Sequence, residues 1–330
     1  VKTKIVVVDK NVDEEKSYTQ AVDILKSGEI VAFPTETVYG LGADATNFEA
    51  VSKIFEAKGR PADNPLIVHV DSKETALRYV QEVSSKALDC MDAFWPGALT
   101  LILKAEPEIF ASNVTAGLQT VGIRVPNHPV ALTLLQKLQL PLAAPSANTS
   151  GKPSPTLAEH VFHDMESKIP LILDGGATEI GIESTVLDMT SEPPVILRPG
   201  KVSKEQIEAV IGTVRSSSGN TSNVPKSPGM KYMHYAPTAP LYLIENEKGL
   251  IEKAIEYVQE KGKSIAVISE TEYPMADFNF PLSMDSLYAS LRKCDLTDAD
   301  LILASVESGM KENDALMNRL EKAADHKWFS

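Results

Sequence analysis

The chain has 330 residues, 43% hydrophobic and 23% charged, with 32 Lys and Arg against 45 Asp and Glu. It exceeds the usual size of one domain and its composition is ordinarily globular, so two packed domains are expected. The net charge of −13 is spread along the chain: residues 1–212 carry 19 basic against 28 acidic side chains, and residues 213–330 carry 13 against 17. Neither part has the basic balance of a protein that grips nucleic acid through its phosphates, so at most weak RNA binding is expected. No apolar run approaches the ~18 residues of a membrane span. The first ten residues show neither the apolar stretch nor the cleavage site of a secretory signal. Cys90 and Cys294 lie far apart and belong to no CxxC pair. They read as reduced structural thiols in a cytoplasmic protein.

In chain order, short runs rich in Val, Ile and Leu occur at residues 5–8, 30–33, 65–70, 100–104, 121–125, 142–145, 171–174, 185–188 and 195–198; these read as strands. Between them, residues 17–26, 47–57, 84–94, 129–138 and 203–211 show apolar spacings of three and four, with Asn47 and Ser203 at N-cap positions. This alternation predicts an α/β domain over residues 1–212, built on an open twisted mixed sheet with flanking helices. The irregular connections argue against an eight-fold barrel or an internal repeat. The polar run 216–229 has almost nothing to bury and passes abruptly into Met230-Lys231-Tyr232-Met233-His234-Tyr235-Ala236-Pro237. Residues 213–239 are therefore expected to be a linker whose aromatic end docks as a lid or anchors a second domain. Strand signals at 241–244, 264–268 and 301–304, alternating with helical ones at 251–261 and 315–324, predict a smaller α/β, Rossmann-like domain over residues 240–330.

Several familiar chemistries are excluded. The chain has no GxxxxGK[ST] loop and no GxSxG elbow, and Gly40-Leu41-Gly42 lacks the third glycine of a dinucleotide fingerprint, because position 45 is Ala. His160 and His163 have no HExxH or cysteine partners and read as exposed helix histidines, so no metal ligands are expected from the protein. His128 reads as a loop residue and His326 as part of a polar tail. What remains is the stretch Lys58-Gly59-Arg60-Pro61-Ala62-Asp63-Asn64-Pro65-Leu66-Ile67-Val68-His69, together with Ser146-Ala147-Asn148. In extended backbone, side chains at i and i+2 point the same way, so Lys58 and Arg60 are expected to offer two cations, and Ser146 and Asn148 two neutral donors, to one ligand. Each element alone reads as a solvated basic turn or an ordinary Ser/Asn loop; together, in an acidic chain, they favour a polyphosphate nucleotide. His69 is either a satisfied core histidine or a ligand-facing one. Arg198, before Pro199-Gly200, is either a third phosphate-directed cation or a surface salt bridge. Arg124, between Ile123 and Val125, stands in an apolar strand where an unpaired cation would be costly.

Taken together, Phe33-Pro34-Thr35-Glu36-Thr37-Val38-Tyr39-Gly40-Leu41-Gly42, Lys58-Gly59-Arg60 with Asn64-Pro65-Leu66, Phe94-Trp95-Pro96-Gly97-Ala98-Leu99-Thr100, Gly122-Ile123-Arg124-Val125-Pro126, Ala144-Pro145-Ser146-Ala147-Asn148 and Glu183-Ser184-Thr185-Val186 resemble the YrdC-like threonylcarbamoyl-AMP synthases. The resemblance runs over about residues 10–212 without a break in motif order, and Tyr232–Pro237 with the domain after it is similar to the longer, two-domain branch. It implies a nucleotidyltransferase that makes threonylcarbamoyl-adenylate and pyrophosphate from L-threonine, bicarbonate or CO2, and ATP. Other proteins, threonylcarbamoyl transferases, would then pass the group to a tRNA adenosine. It implies an ATP site of Lys58, Arg60, Asn64, Thr120, the Ala144 backbone, Ser146, Asn148, Ser154, Arg198 and Tyr232, with Lys58 and Arg60 as the catalytic cations. It implies a threonine site of Thr35, Thr37, His69, Arg124 and Ser184. Mg2+ is expected on the ATP phosphates, held mainly by phosphate oxygens and water. Two rivals make different demands. A non-catalytic RNA-binding module needs a positive surface, and a carbamoyl-transferring maturation factor needs an acylphosphatase-like segment and zinc-binding Cys pairs, which this sequence does not contain.

Overall fold

A strand whose two faces are both apolar needs cover on both sides, and interior strands of the first unit receive it. The computed structural model describes residues 1–8, 14–217, 225–227, 234–247 and 249–330. The chain forms two units, Val1–Ser150 with Pro155–Lys231, and Gly151–Ser154 with Tyr232–Ser330. The first contains β1 (Lys4–Val7), α1 (Glu14–Lys26), β2 (Val31–Pro34), β3 (Tyr39–Asp44), α2 (Phe48–Lys58), β4 (Ile67–His69), α3 (Lys73–Leu77), β5 (Val80–Gln81) and α4 (Ser85–Phe94). It continues through β6 (Leu99–Ala105), α5 (Ser112–Thr115), β7 (Thr120–Arg124), α6 (Pro129–Leu138), β8 (Leu142–Ala143), α7 (Ala158–Met165) and β9 (Leu171–Asp174). It closes with β10 (Thr185–Asp188), β11 (Val195–Arg198), α8 (Lys204–Ile211) and β12 (Arg215–Ser216).

These strands make one mixed sheet in the order β1-β9-β2-β3-β8-β4-β7-β6-β10-β11-β12, with β5 on β6. Because β1 and β12 stand at the two ends of that path, the sheet is open, as the alternation of signals predicts. Successive side chains go to opposite faces. In β2, Ala32 joins a core with Ile54 of α2 and Met91 of α4, whereas Val31 and Phe33 join a second with Leu25 of α1 and Leu134 of α6. In β9, Ile172 and its neighbours Leu171 and Leu173 divide in the same way.

Local signals placed most helices. Asn47 caps α2 by accepting the Ala50 N–H, and Ser203 and Gln206 form a reciprocal capping box on α8. His128, expected in a loop, caps α6 through its imidazole, which accepts the Val130 N–H. Three differences have physical causes. Strand β3 escapes the sequence pattern because Gly40 and Gly42 dilute its apolar run; a Cβ at Gly42 would meet the Phe33 ring at 2.8 Å. The expected strand at 142–145 pairs only over Leu142–Ala143, since Pro145 has no N–H to give a ladder. Residues 58–60 are not extended: Lys58 ends α2, and Gly59 takes the left-handed conformation at φ 61°. The chain closes there as a helix-terminating turn, with Gly59 and Arg60 N–H groups returning to Glu56 and Phe55 carbonyls. The i, i+2 geometry expected for Lys58 and Arg60 is therefore wrong.

The second unit has four parallel strands, β13 (Leu241–Glu245), β14 (Ile265–Ser269), β15 (Phe278–Pro281) and β16 (Leu301–Val306), in the order β13-β16-β14-β15. Parallel neighbours require crossovers: α9 (Leu250–Glu260) lies between β13 and β14 and α10 (Leu287–Cys294) between β15 and β16, a loop joins β14 to β15, and α11 (Asp314–Ala323) comes last. Strand β15 and helix α10 lie outside the sequence-based expectation. Cys90 and Cys294 are buried and free, and burial pushes their thiols up to about 11 and about 12. Among the described residues no helix is long and apolar enough to cross a membrane.

Gly200 makes a very close backbone approach near the expected site: a Cβ there would lie 2.3 Å from the Thr185 nitrogen and 2.7 Å from the Ser184 carbonyl carbon. Gly200→Ala is expected to lower stability by roughly 1–3 kcal/mol, as overpacking does. Urea unfolding followed by circular dichroism checks this, and a loss below about 0.5 kcal/mol, the range of an ordinary surface change, would contradict so close a contact.

Candidate functional site

The site grows around a cation placed where water is scarce. Arg124 is the last residue of β7 and His69 the last of β4, and the two are register partners in a parallel pair. Directly paired residues lie on the same face of the sheet. Arg124 is 3% exposed, and the three nitrogens of its guanidinium are all engaged. Nε donates to the Gly97 carbonyl at 3.1 Å, Nη1 to the Thr37 hydroxyl at 3.0 Å, and Nη2 to the Glu36 carboxylate in a buried ion pair. The turn 35–38 that carries these partners is tied by Thr35. Its hydroxyl donates to the Val38 carbonyl at 2.6 Å and accepts the Thr37 and Val38 N–H groups. Thr35 thus orders the turn, while Thr37 faces the guanidinium.

His69 is buried, with the Phe33 ring edge-on at 6.4 Å. Burial, and then the Arg124 charge, depress its pKa to about 3, so the imidazole is neutral at physiological pH. Its Nδ1 has no hydrogen-bond partner among the described residues.

Gly97 and Ala98 connect this group to the next: Gly97 accepts from Arg124, and Ala98 accepts the Thr185 N–H at 3.0 Å. Ser184 precedes Thr185. Its hydroxyl is 2.8 Å from the Thr100 hydroxyl, and Arg198 donates to its carbonyl at 3.1 Å and to its hydroxyl at 3.3 Å. Arg198 is buried, which rules out the surface salt bridge that the sequence left open. Thr35, Thr37, Arg124, His69, Ser184 and Arg198 are therefore linked by hydrogen bonds or by strand register.

Lys58 takes a role that the sequence pattern does not suggest. The residue is 2% exposed, and its ammonium donates to the carbonyls of Ser146 and Asn148, the second at 2.7 Å. Its own carbonyl accepts the Ser150 N–H at 2.9 Å. Ser146 and Asn148 thus meet Lys58 through backbone oxygens. A cation on the last turn of α2 also suits the helix dipole. Arg60 turns back onto the Asn64 and Pro65 carbonyls at 3.3 and 3.4 Å, with its guanidinium carbon 6.0 Å from the Phe55 ring. Asn64 is fully buried, yet neither end of its amide has a partner among the described residues. Such a group calls for a ligand or water.

The remaining expected residues are dispersed. Ala144 comes directly after β8 and donates its N–H to the Ile67 carbonyl. Thr120 opens β7, four residues and about 13 Å along the strand from Arg124. Ser154 falls in the second unit, and Tyr232 lies outside the described residues. Two participants, Glu36 and Thr100, carry no role in the sequence-based expectation. Both stand inside motifs already singled out, and a lone acid between two threonines was the available counter-charge for Arg124. Among the described residues no group of three or more His, Cys, Asp or Glu side chains is arranged to hold a metal ion.

The open mixed sheet thus carries buried guanidinium groups and a neutral histidine on its interior strands, and an unpartnered amide in the loop before β4, on an α/β scaffold. Two family models match: one described as "Telomere recombination" over residues 23–200, and one described as "Threonylcarbamoyl-AMP synthase, C-terminal domain" over residues 202–325. The chain is 47% identical to the threonylcarbamoyl-AMP synthase of Bacillus subtilis over 331 residues, covering 96% of each. It is 45% identical to that of Pyrococcus abyssi, covering 95% of this chain and 96% of the other. The crystal structure of P. abyssi Sua5 complexed with L-threonine matches with a TM-score of 0.92 and 44% identity, over 99% of both chains. The chain belongs to the threonylcarbamoyl-AMP synthase family, in its two-domain form.

The Lys58 geometry yields a test without any ligand. Lys58→Met would leave two buried carbonyls short of a charged donor, so a loss of roughly 2–3 kcal/mol is expected. Chemical denaturation of the ligand-free protein measures it; a change within about 0.5 kcal/mol would mean that Lys58 does not hold the Ser146–Asn148 turn.

Proposed function

We propose that the protein is a threonylcarbamoyl-AMP synthase that joins L-threonine, bicarbonate or CO2, and ATP, releasing pyrophosphate, in the cytoplasm. The observation that carries this reading is the buried Arg124 fork, flanked by Thr37, His69 and, through Gly97 and Ala98, the Ser184–Arg198 pair. A buried guanidinium beside small hydroxyls suits the carboxylate of a short polar amino acid. The family relationship supplies the rest of the reaction.

In that reaction the threonine amine, once deprotonated, forms its N–C bond to CO2; starting from bicarbonate, water is also formed. A carbamate oxygen then attacks the α-phosphorus of ATP, the bond from that phosphorus to the bridging oxygen of the β-phosphate breaks, and pyrophosphate leaves. No enzyme nucleophile is required. The protein's contribution is to align three small reactants and to offset charge on the phosphates. Arg124, Thr37, His69 and Ser184 would hold threonine, with Thr35 keeping their turn in shape. Lys58, Arg60 and Arg198 would offset phosphate charge, while Asn64, Thr120, Ser146, Asn148 and the Ala144 backbone would give neutral hydrogen bonds to the nucleotide. The donor set offers no carboxylate cage, so magnesium would enter as part of the MgATP substrate. On sequence grounds, residues 1–212 would be the catalytic domain and residues 240–330 a smaller one. The segment 213–239, with Tyr232, would form a linker that shields the labile carbamate and adenylate from water. The product would be consumed by proteins that transfer a threonylcarbamoyl group to tRNA.

Pyrophosphate release, measured with ATP, bicarbonate and each of the twenty amino acids in turn, tests the reaction. Release is expected with threonine, and equal turnover without any amino acid would reject the reading. Arg124→Ala is expected to weaken threonine binding by roughly 2–5 kcal/mol and to leave ATP binding nearly unchanged. Calorimetric titration of each ligand checks this, and equal weakening of both would make Arg124 structural or nucleotide-facing.

A further inference from the structure

We propose that Glu36 binds the α-ammonium of the amino-acid substrate, so that Glu36 and Arg124 together read a zwitterion. This rests on the reading that Arg124 receives the substrate carboxylate. Glu36 is 3% exposed. One carboxylate oxygen, Oε1, accepts from Arg124, while Oε2 is buried and has no hydrogen-bond partner among the described residues. A carboxylate oxygen sequestered in this way is expensive unless a donor reaches it.

The neighbouring groups do not meet that need. The Thr35 hydroxyl is engaged by its own turn, the Thr37 hydroxyl accepts from Arg124, and the Arg124 Nε serves Gly97. An α-amino acid carries its carboxylate and ammonium on one carbon, and the Arg124–Glu36 pair presents a cation and an anion side by side. Charge balance sharpens the match. The ion pair is neutral and so is the zwitterion, so the complex buries no net charge. An amine-free acid would bring a second carboxylate to a single guanidinium and bury an uncompensated negative charge, which is costly in such a place.

The test is calorimetric titration of the full chain with L-threonine and with 3-hydroxybutanoate, which lacks the amine. The parent protein is expected to prefer threonine by roughly a hundredfold or more. In Glu36→Gln the preference should fall at least about thirtyfold, because the amine-free acid then neutralises Arg124 while threonine leaves a cation unbalanced. A ratio unchanged within about threefold overturns the Glu36 assignment. Failure of the parent chain to bind threonine at all removes the functional reading beneath it. Because Glu36→Gln strips a buried guanidinium of its counter-charge and lowers stability, a crystal structure of the parent with threonine gives an independent readout. An ammonium nitrogen within about 3.2 Å of Oε2 is expected, and one more than about 4 Å from both carboxylate oxygens would overturn the proposal.

Discussion

A guanidinium at the end of an interior strand cannot be left bare, and much of the first unit is arranged around that requirement. The desolvation cost of such a cation is several kcal/mol, and it is offset only by good geometry with an acceptor at each of its nitrogens. Arg124 meets this with partners from two separate loops: Glu36 and Thr37 after β2, and Gly97 before β6. Because Gly97 also donates its N–H to the Val125 carbonyl and its neighbour Ala98 accepts from Thr185, satisfying one side chain fixes the spacing of β2, β6, β7 and β10 at the site. The charge proposed to receive the substrate carboxylate is thus also a fastening of the scaffold.

Lys58 extends the same economy to the other expected ligand group. Holding the Ser146 and Asn148 carbonyls with a buried ammonium sets the path of that turn, and with it the position of the side chains that turn presents. The turn after α2 then makes room for Arg60 to fold back on the Asn64–Pro65 carbonyls, and the buried Asn64 amide has no hydrogen-bond partner among the described residues.

The expectations that hold rest on patterns with a local cause. Helix α6 begins where Pro129 stands and α8 where Ser203 and Gln206 cap it. Strands such as Leu171–Asp174 are legible because both faces are buried and the run is continuously apolar. Those that fail have a non-local cause. Strand β3 is held by partners on β2 and β8, and its glycines answer to the Phe33 ring rather than to any strand propensity. At Gly59 the prolines Pro61 and Pro65 suggest extended chain, while the helix in fact continues to Lys58.

The amino-acid sequence by itself determined the alternation of strands and helices, the acidic balance that argues against a nucleic-acid-gripping surface, and the family, through motifs ordered over most of the chain. It also marked Arg124 as a cation in need of a partner, because apolar neighbours on either side imply burial. It could not name Glu36 as that partner or show that Lys58 serves backbone carbonyls. Those pairings join residues 88 and 90 positions apart, and no local periodicity encodes which distant groups a folded sheet brings within hydrogen-bonding distance. Tertiary structure decided them, since burial makes an unpaired charge expensive and only the folded chain shows which acceptor is in reach.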